Sequence, residues 1–441
     1  ISKNIFLFMV CIAIFVAGAR GGFQLKPIKP INSGELSGSK NTALILNTPF
    51  TFIHSVTDKN LIIYNYFNEN LSNTIYSTDH FFNIKREKKP NIIILIMESY
   101  SKEFIGFYNN GIGYTPFLDS LMQTSLVFTN AFANGLKSIE ALPAITASIP
   151  SLMDNPFITS NYAQNNFNSI ASLLNKSDYN TSFYHGGLKG TMGFYSFSKK
   201  ADFSDYRGLE NYNNLKDFDQ SWGIYDEPFM QYFSDQISNK KEPFFSTFFS
   251  LSAHPPYTLP KKYRSKLNKS KKIGIRETIS YSDFAMKKFF EKSKKEKWFE
   301  NTIFIITADH TSPINFDKKY NNKIGRYAIP IIIYSSDKSF SGINNNIVQQ
   351  IDIMPTILEI IGYNKPFFAF GKSMFSNKNW AINYLQNEYR LITKKSIIIN
   401  KIDDFNSFKD WNLSIPLIKD SFDINYLKAI KQNYNYKMIN N

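Results

Sequence analysis

Two uninterrupted apolar runs in this chain deliver ionisable groups at their ends. NIIILIM (91–97) is followed at once by Glu98, and TIFIIT (302–307) leads through Ala308 to Asp309 and His310. A charge set directly after a fully apolar strand is costly to bury without a partner. One such residue is commonly a cap or a salt-bridge partner, whereas two carboxylates and a histidine at two strand ends make a better case for a metal site. Carboxylate oxygens and an imidazole nitrogen suit manganese, zinc or a related divalent ion with positions left open. A hydroxyl at such an opening loses its proton readily and becomes a strong nucleophile. Ser138, in ANGLKSIEALPAI, is the candidate. It follows a strand-like run and opens a helix-like one, where N–H groups and the positive dipole end favour a phosphate oxyanion. From the residues alone, Ser138 reads either as this nucleophile or as a helix cap.

The elements around these residues alternate. NIIILIM is β-branched throughout, as expected of a strand buried on both faces. TPFLDSLMQTS reads as a helix and LVFTNAFA as a strand; SIASLLNKSDYN and TSFYH repeat that order. EPFFSTFFSLS is a further strand. SYSDFAMKKFFEKSKKEKW is an amphipathic helix, with Phe284, Met286, Phe289 and Phe290 opposite a lysine-rich face. TIFIITADH and YAIPIIIYSS are strands, and IVQQIDIMPTILEIIG closes the series as a helix. Such alternation argues for a parallel or mixed α/β sheet covered on both faces, with ligands gathered beyond the carboxyl ends of its strands.

The remainder of the chain frames this unit. Residues 5–19 form an apolar run between Lys3 and Arg20. About 20 apolar residues span a bilayer, so the run is expected to be the tail of a transmembrane helix in a truncated or processed chain. A signal-peptide core and a buried helix are the alternatives. Residues 20–89 are polar and Asn/Ser-rich, suiting a linker with one helix near ALILNTPFTFIHSV that lies on a domain or membrane surface. After about Ser373 the chain turns Asn/Lys-rich with short β-like runs, read as a smaller C-terminal lobe. The expected division is 1–19, 20–89, 90–375 and 376–441. The only cysteine, Cys11, lies in the apolar run, so the rest of the chain has neither disulfides nor thiolate metal sites. A net charge of +15 favours anionic partners. No nucleic-acid partner is expected: zinc-finger spacing and RNP-type motifs are lacking, and the lysines are scattered or sit in loops such as KKYRSKLNKSKK.

Taken in order, these stretches resemble the alkaline phosphatase/sulfatase superfamily and, within it, the lipoteichoic acid synthase-like membrane phosphoglycerol transferases. NIIILIMESYS is similar to the opening metal strand and TPFLDSL to the helix after it. NGLKSIEALPAITASIPSL resembles the nucleophile turn, LSAHPPY a substrate-side histidine loop, IITADHTS the second metal segment, and QQIDIMPTILEIIG the late superfamily helix. The resemblance covers roughly residues 91–373. It implies a sulfatase-like α/β sandwich with a mostly parallel central sheet flanked by helices, a small C-terminal α+β lobe and an N-terminal membrane helix.

The resemblance further implies that Glu98, Ser138, Asp309 and His310 hold one divalent ion, manganese in most of the group, with magnesium or zinc as alternatives. Ser138 stands where the family has threonine or serine as nucleophile. His254 and His185 fall where histidines contact the substrate, and Lys137 beside the nucleophile is a candidate for stabilising phosphoryl charge. His54 and His80 read as structural. Lipoteichoic acid synthases proper carry a tryptophan and an arginine shortly after the position of His185. Here the region reads KGTMGFYSF, with Met192 and Phe194 at those places, and Lys189 or Arg207 as candidates for the missing charge. SIEAL does not fit the formylglycine motif of arylsulfatases. The implied activity is extracytoplasmic transfer of a phosphoglycerol-type head group from an anionic phospholipid to a hydroxyl of a glycolipid, glycan or polymer acceptor at the membrane. Phosphoethanolamine transfer, ester hydrolysis at the same site and a non-catalytic envelope scaffold are the alternatives.

Overall fold

The structure is a computed structural model that describes residues 2–22, 27–37, 42–56, 60–86, 88–265, 273–377, 379–402 and 404–440. The lysine-rich stretch 266–272 and the linker residues 23–26 therefore lie outside the described residues.

At the centre is an eight-stranded sheet: β1 (Asn91–Met97), β2 (Leu126–Phe132), β3 (Asn180–His185), β4 (Asp205–Arg207), β5 (Phe244–Phe249), β6 (Thr302–Ala308), β7 (Ile331–Ser335) and β8 (Gly342–Gln349). Their spatial order is β4-β3-β5-β1-β6-β7-β2-β8. Every pairing is parallel except those of β7, which runs antiparallel to β6 and to β2, so the sheet is mixed. All seven residues of β1 and all seven of β6 are buried, which requires cover on both faces. The long helix α3 (Ile275–Ser293) packs beside the helix Asp226–Ser238. Its Phe289 stacks on Phe233 at 5.4 Å and its Phe290 meets Phe304 of β6 at 5.0 Å. Helix α2 (Ser138–Ala147) packs with α4 (Ile353–Ile360).

Register places the chemistry. Met97 pairs with Ala308 and Ile96 with Phe249, while His185 also pairs with Phe249. Because these strands are parallel, Glu98, Asp309, Ser250 and His185 emerge along one carboxyl edge.

One stretch differs from the sequence expectation, and two regions give it detail. The stretch IVQQ does not start a helix: Ile347–Gln349 complete β8, and α4 begins only at Ile353. The linker segment after residue 60 docks on the catalytic unit through a short strand. Asp79–His80 pairs antiparallel with Phe367–Phe368, and Tyr76 is buried with its hydroxyl donating to the Phe370 carbonyl. The C-terminal region holds a four-stranded antiparallel sheet (381–408) and then a 20-residue helix, α5 (Ser421–Asn440). That helix clasps the linker: Gln432 exchanges two hydrogen bonds with the Phe67 backbone, and Asn433 Nδ2 donates to the Tyr76 carbonyl. Its Leu427, Ile430 and Tyr434 join the main hydrophobic core. Helix α1 (Ser2–Ala19) has no buried residue and is long and apolar enough to cross a membrane.

Candidate active site

Glu98, Asp309 and His310 converge at the carboxyl ends of β1 and β6, with one potential ligand atom from each lying within 4.8 Å of the others. Neighbouring backbone holds each in place. Asp309 Oδ1 accepts from the Ser99 N–H (2.8 Å) and the His310 N–H (2.7 Å). The Ser99 hydroxyl donates to Glu98 Oε1 at 2.7 Å, and Ser99 itself sits in the left-handed region at φ 58°. His310 Nδ1–H donates to the Thr311 carbonyl (2.7 Å), which fixes the tautomer and turns the Nε2 lone pair toward Asp309 Oδ2, 3.2 Å away.

The electrostatics of this cluster are unresolved by protein groups alone. Asp309 Oδ2 is buried with no hydrogen-bond partner among the described residues. Burial, and after it the Glu98 carboxylate, push the Asp309 carboxyl up to about 7. Burial pulls the His310 imidazole down, but Asp309 and Glu98 outweigh it and hold it above its ordinary value. Two buried carboxylates, an orphaned carboxylate oxygen and a free imidazole nitrogen are the donor set of a hard or borderline divalent cation, and the residues present fit one.

Ser138 closes the cluster. Its hydroxyl donates toward Glu98 Oε2 and stands beside His310 Nε2, both at 3.3 Å, and the residue is buried. It is the first residue of α2; the N-cap position belongs to Lys137, and no side chain caps the helix. The cap reading of Ser138 is therefore set aside. The turn before it is held by amide contacts. Asn134 N–H donates to Gln350 Oε1 (2.9 Å), while Gln350 Nε2 donates to the carbonyls of Ala308 (2.8 Å) and Asp309 (2.6 Å). One glutamine thus ties the serine turn to the end of β6. Gly135 is required there, because a Cβ would lie 2.6 Å from the Glu140 side chain, whose carboxylate accepts the Leu136 N–H.

His185 and His254 lie close enough for His254 to act on the charge of His185. His185 is buried; burial first, with His254 adding to it, lowers its imidazole to about 4, so it is neutral. Its Nδ1–H donates to the Phe249 carbonyl at 3.4 Å, and Nε2 is buried without a partner among the described residues. A Cβ on Gly187 would sit 2.8 Å from that Nε2, so glycine keeps the approach open. His254 Nδ1–H donates to the Pro255 carbonyl (2.8 Å), and its ring meets Trp222 at 4.3 Å.

Other candidates are placed elsewhere. Lys137 is exposed. Arg207 is held by Asp205 at 2.9 Å, and the Lys189 ammonium sits over the Tyr195 ring. Phe194 is buried against His185, and Met192 takes φ 50° in the turn before it. His80 is engaged by the Ala369 carbonyl and Phe367, and His54 packs on Phe50. Sequence reasoning passed over Ser99, the Asn134–Gln350 link, Trp222 and Tyr257. Ser99 and Tyr257 lie inside the motifs MESYS and AHPPY, and that position was their available signal.

Comparisons with known proteins agree with this architecture. The sulfatase family profile matches residues 90–363. Lipoteichoic acid synthase 1 of Bacillus subtilis (strain 168) is 24% identical over 335 residues, covering 68% of this chain and 51% of the relative. The lipoteichoic acid synthase of Staphylococcus aureus (strain USA300) is 25% identical over 346 residues, covering 71% and 51%. The chain thus spans about half the length of the curated relatives it matches. Among solved structures, an alkaline phosphatase superfamily protein from Vibrio parahaemolyticus superposes with a TM-score of 0.75 at 24% identity, covering 94% of this chain and 97% of that one. The lipoteichoic acid synthase LtaP from Listeria monocytogenes gives 0.72 at 18%, covering 84% and 98%. With the family profile spanning the central sheet and its edge cluster, the chain belongs to the sulfatase family.

Proposed function

We propose that this protein is a membrane-anchored phosphotransferase that moves a phosphoglycerol-type head group from an anionic phospholipid to an acceptor hydroxyl, with Ser138 as nucleophile. The observation that carries the reading is the Ser138 hydroxyl standing 3.3 Å from both Glu98 Oε2 and His310 Nε2, beside an orphaned Asp309 oxygen. Glu98, Ser138, Asp309 and His310 would hold one divalent ion, manganese being our choice over magnesium or zinc. When bound, that ion supplies Lewis acidity that activates a hydroxyl and neutralises phosphoryl charge.

The chain's own groups do the rest. Ser138 Oγ releases its proton toward Glu98 and attacks phosphorus, forming a phosphoester to serine as the bond to the lipid oxygen breaks. His254, with Nδ1 committed to the Pro255 carbonyl, keeps Nε2 for the proton that the departing diacylglycerol oxygen needs and that the acceptor hydroxyl later returns. Neutral His185, its unpaired Nε2 buried beside this path, orients the head group. Lys137 at the rim adds positive charge for the incoming phosphate. The acceptor is a hydroxyl of a glycolipid, glycan or growing polymer.

We take 90–375 as the catalytic unit, 376–441 as its C-terminal subdomain, and 20–89 as the connection to the helix at 1–19, which fixes the site outside the cytoplasmic membrane. The basic charge of the chain, +15, draws it to anionic lipid. The test is incubation with labelled phosphatidylglycerol and manganese, with and without a glycolipid acceptor. Diacylglycerol and a labelled acceptor product are expected, both lost in Ser138→Ala. Free glycerol phosphate as the sole labelled product would make the protein a hydrolase; full activity in the variant would overturn the nucleophile.

A further inference from the structure

We infer that the face where the central sheet meets the C-terminal lobe is a binding groove for an extended polyanion, a chain of phosphodiesters on an aliphatic polyol. Two cavities lie along it, of about 620 and 240 Å³, and Asn130 and Trp411 line both. Lys102 and Lys319 line the first; Lys394, Lys395 and Lys409 line the second. No Asp or Glu lines either cavity, and none of these five lysines is in an ion pair among the described residues. In a chain with 36 acidic residues to 51 basic ones, two adjoining hollows with lysines and no acid are a place built for anions. Along one wall, Asn130 Nδ2 donates to the Asn345 carbonyl (2.9 Å) and joins β2 to the edge strand β8. On another, Asn322 Nδ2 donates to Asn412 Oδ1 at 3.2 Å, which ties the chain beyond ADHTS to the C-terminal lobe.

Lys102 is the anchor. It is 4% exposed, and its ammonium donates to the Thr129 carbonyl and lies 4.5 Å from the centre of the Tyr108 ring. An ammonium carries three donors, and that carbonyl is its one hydrogen-bond partner among the described residues. A cation buried this way is costly until an anion completes its shell, and the cavity is where the anion enters. Lys319 is held on the same wall. Asn109 Nδ2 donates to the Lys102 carbonyl (2.7 Å), and Asn109 Oδ1 accepts the hydroxyl of Tyr320 (3.1 Å), the next residue after Lys319. The aromatic rings narrow the class of polyanion. Lys102 covers Tyr108, Lys319 covers Tyr320 at 5.1 Å, and Trp411 packs on Phe132 at 5.4 Å. Rings so occupied leave little face for nucleic-acid bases to stack on, whereas an aliphatic polyol needs only their apolar surface. A bilayer surface is flat and meets exposed lysines, not one recessed as Lys102 is. None of the lining residues belongs to the Glu98–Asp309–His310 cluster. Binding here is therefore independent of the reading of Ser138; only the use of the groove to hold a polymer acceptor rests on that reading.

The test is calorimetry on the full chain in detergent and EDTA, at about 0.15 M salt. The ligands are sn-glycerol 1-phosphate, a glycerol phosphate oligomer of about six units, and a single-stranded DNA of equal charge. The oligomer is expected to bind about 100-fold more tightly than the single unit, because its phosphates reach both cavities at once. Lys102→Met should weaken the oligomer about 10- to 100-fold, the range of one hydrogen bond to a charged group, with the melting temperature unchanged or higher. Lys394→Ala combined with Lys395→Ala changes only exposed positions and should weaken the oligomer about 3- to 10-fold while leaving the single unit unaffected. Lys294→Ala combined with Lys295→Ala removes the same charge from an exposed pair at the end of α3 and should change neither. An oligomer bound no more tightly than the single unit, an equal loss in the two paired variants, or DNA bound as tightly as the oligomer would each overturn the inference. These titrations involve no metal and no turnover, so failure of the Ser138 reading appears in the transfer assay and failure of the groove appears here.

Discussion

Asp309→Asn separates what the acidic cluster does for stability from what it does for metal. An asparagine keeps the Oδ1 that accepts the Ser99 and His310 N–H groups and replaces the unpartnered Oδ2 with a neutral donor facing Glu98 and His310. In metal-free protein the change removes a buried repulsion. The Asp309 carboxyl stands at about 7, against an ordinary 3.8, through burial first and Glu98 second. At 1.36 kcal/mol per pKa unit this gap sets a ceiling of roughly 4 kcal/mol. Relaxation and water entry reduce it, leaving about 1–3 kcal/mol as the expected gain.

The sign follows from linkage. The folded-state value lies above the unfolded one, so the wild-type penalty is absent below about pH 4 and fully present above about pH 7. Urea unfolding in EDTA should therefore show the variant more stable at about pH 8, with its advantage shrinking as the pH falls toward about 4. Excess manganese should reverse the order: wild type gains about 2.7 kcal/mol at a hundredfold excess over Kd, and the variant gains little. A variant less stable than wild type at about pH 8 in EDTA, or a wild type indifferent to manganese, would refute the reasoning.

Three further outcomes are expected. Gln350→Leu strands the Asn134 N–H and the Ala308 and Asp309 carbonyls, costing about 3–6 kcal/mol; a melting temperature unchanged within about 2 °C would show that the link is dispensable. Tyr434→Ala empties a fully buried site on α5 and removes the hydroxyl donated to the Pro150 carbonyl. A loss of about 3–5 kcal/mol in urea unfolding is expected, and a negligible loss would mean that the C-terminal helix contributes little to the core. The Lys102 ammonium is lowered to about 7 by burial and then by Lys319. Its folded-state value lies below the unfolded one, so the cost of burying it is full below about pH 7 and relieved as pH rises toward about 10. Lys102→Met should accordingly stabilise the protein most below about pH 7, and a stability difference flat with pH would contradict that assignment.

What could be read from the sequence follows from where burial leaves a one-dimensional mark. Glu98, Asp309 and His310 stood out because each charge follows an apolar run, and parallel register then brings the two strand ends together. From its own residues Ser138 was an ambiguity, and the resemblance to a family pointed to the nucleophile; its place at the first helical residue, beside Glu98 and His310, depends on a turn fixed from residue 350, far away in the chain. Gln350 carries no mark of its role, since an uncharged polar side chain at a strand end looks alike whether it faces solvent or a neighbouring turn. Helix α5 escaped notice because it buries Lys431, Gln432, Asn433 and Asn435 against the linker, which erases the apolar stripe of an amphipathic helix. The asparagine run in GINNNIVQ hid β8 for a related reason: its first half is an exposed edge, and only Ile347 onward is buried by the sheet. Where the linker docks left no mark in the sequence because its anchors are few, Tyr76 and Ser72 chief among them, and their partners lie near the other end of the chain.

The central claim is that Ser138 Oγ takes a phosphoryl group from a phospholipid. Its most direct test is mass spectrometry of the protein after brief incubation with phosphatidylglycerol and manganese in the absence of acceptor. A phosphoglyceryl adduct mapping to Ser138, absent from Ser138→Ala and cleared when acceptor is added, is the predicted result. Turnover of the lipid with no adduct at Ser138 under rapid quenching, or an adduct on another residue, would contradict the account.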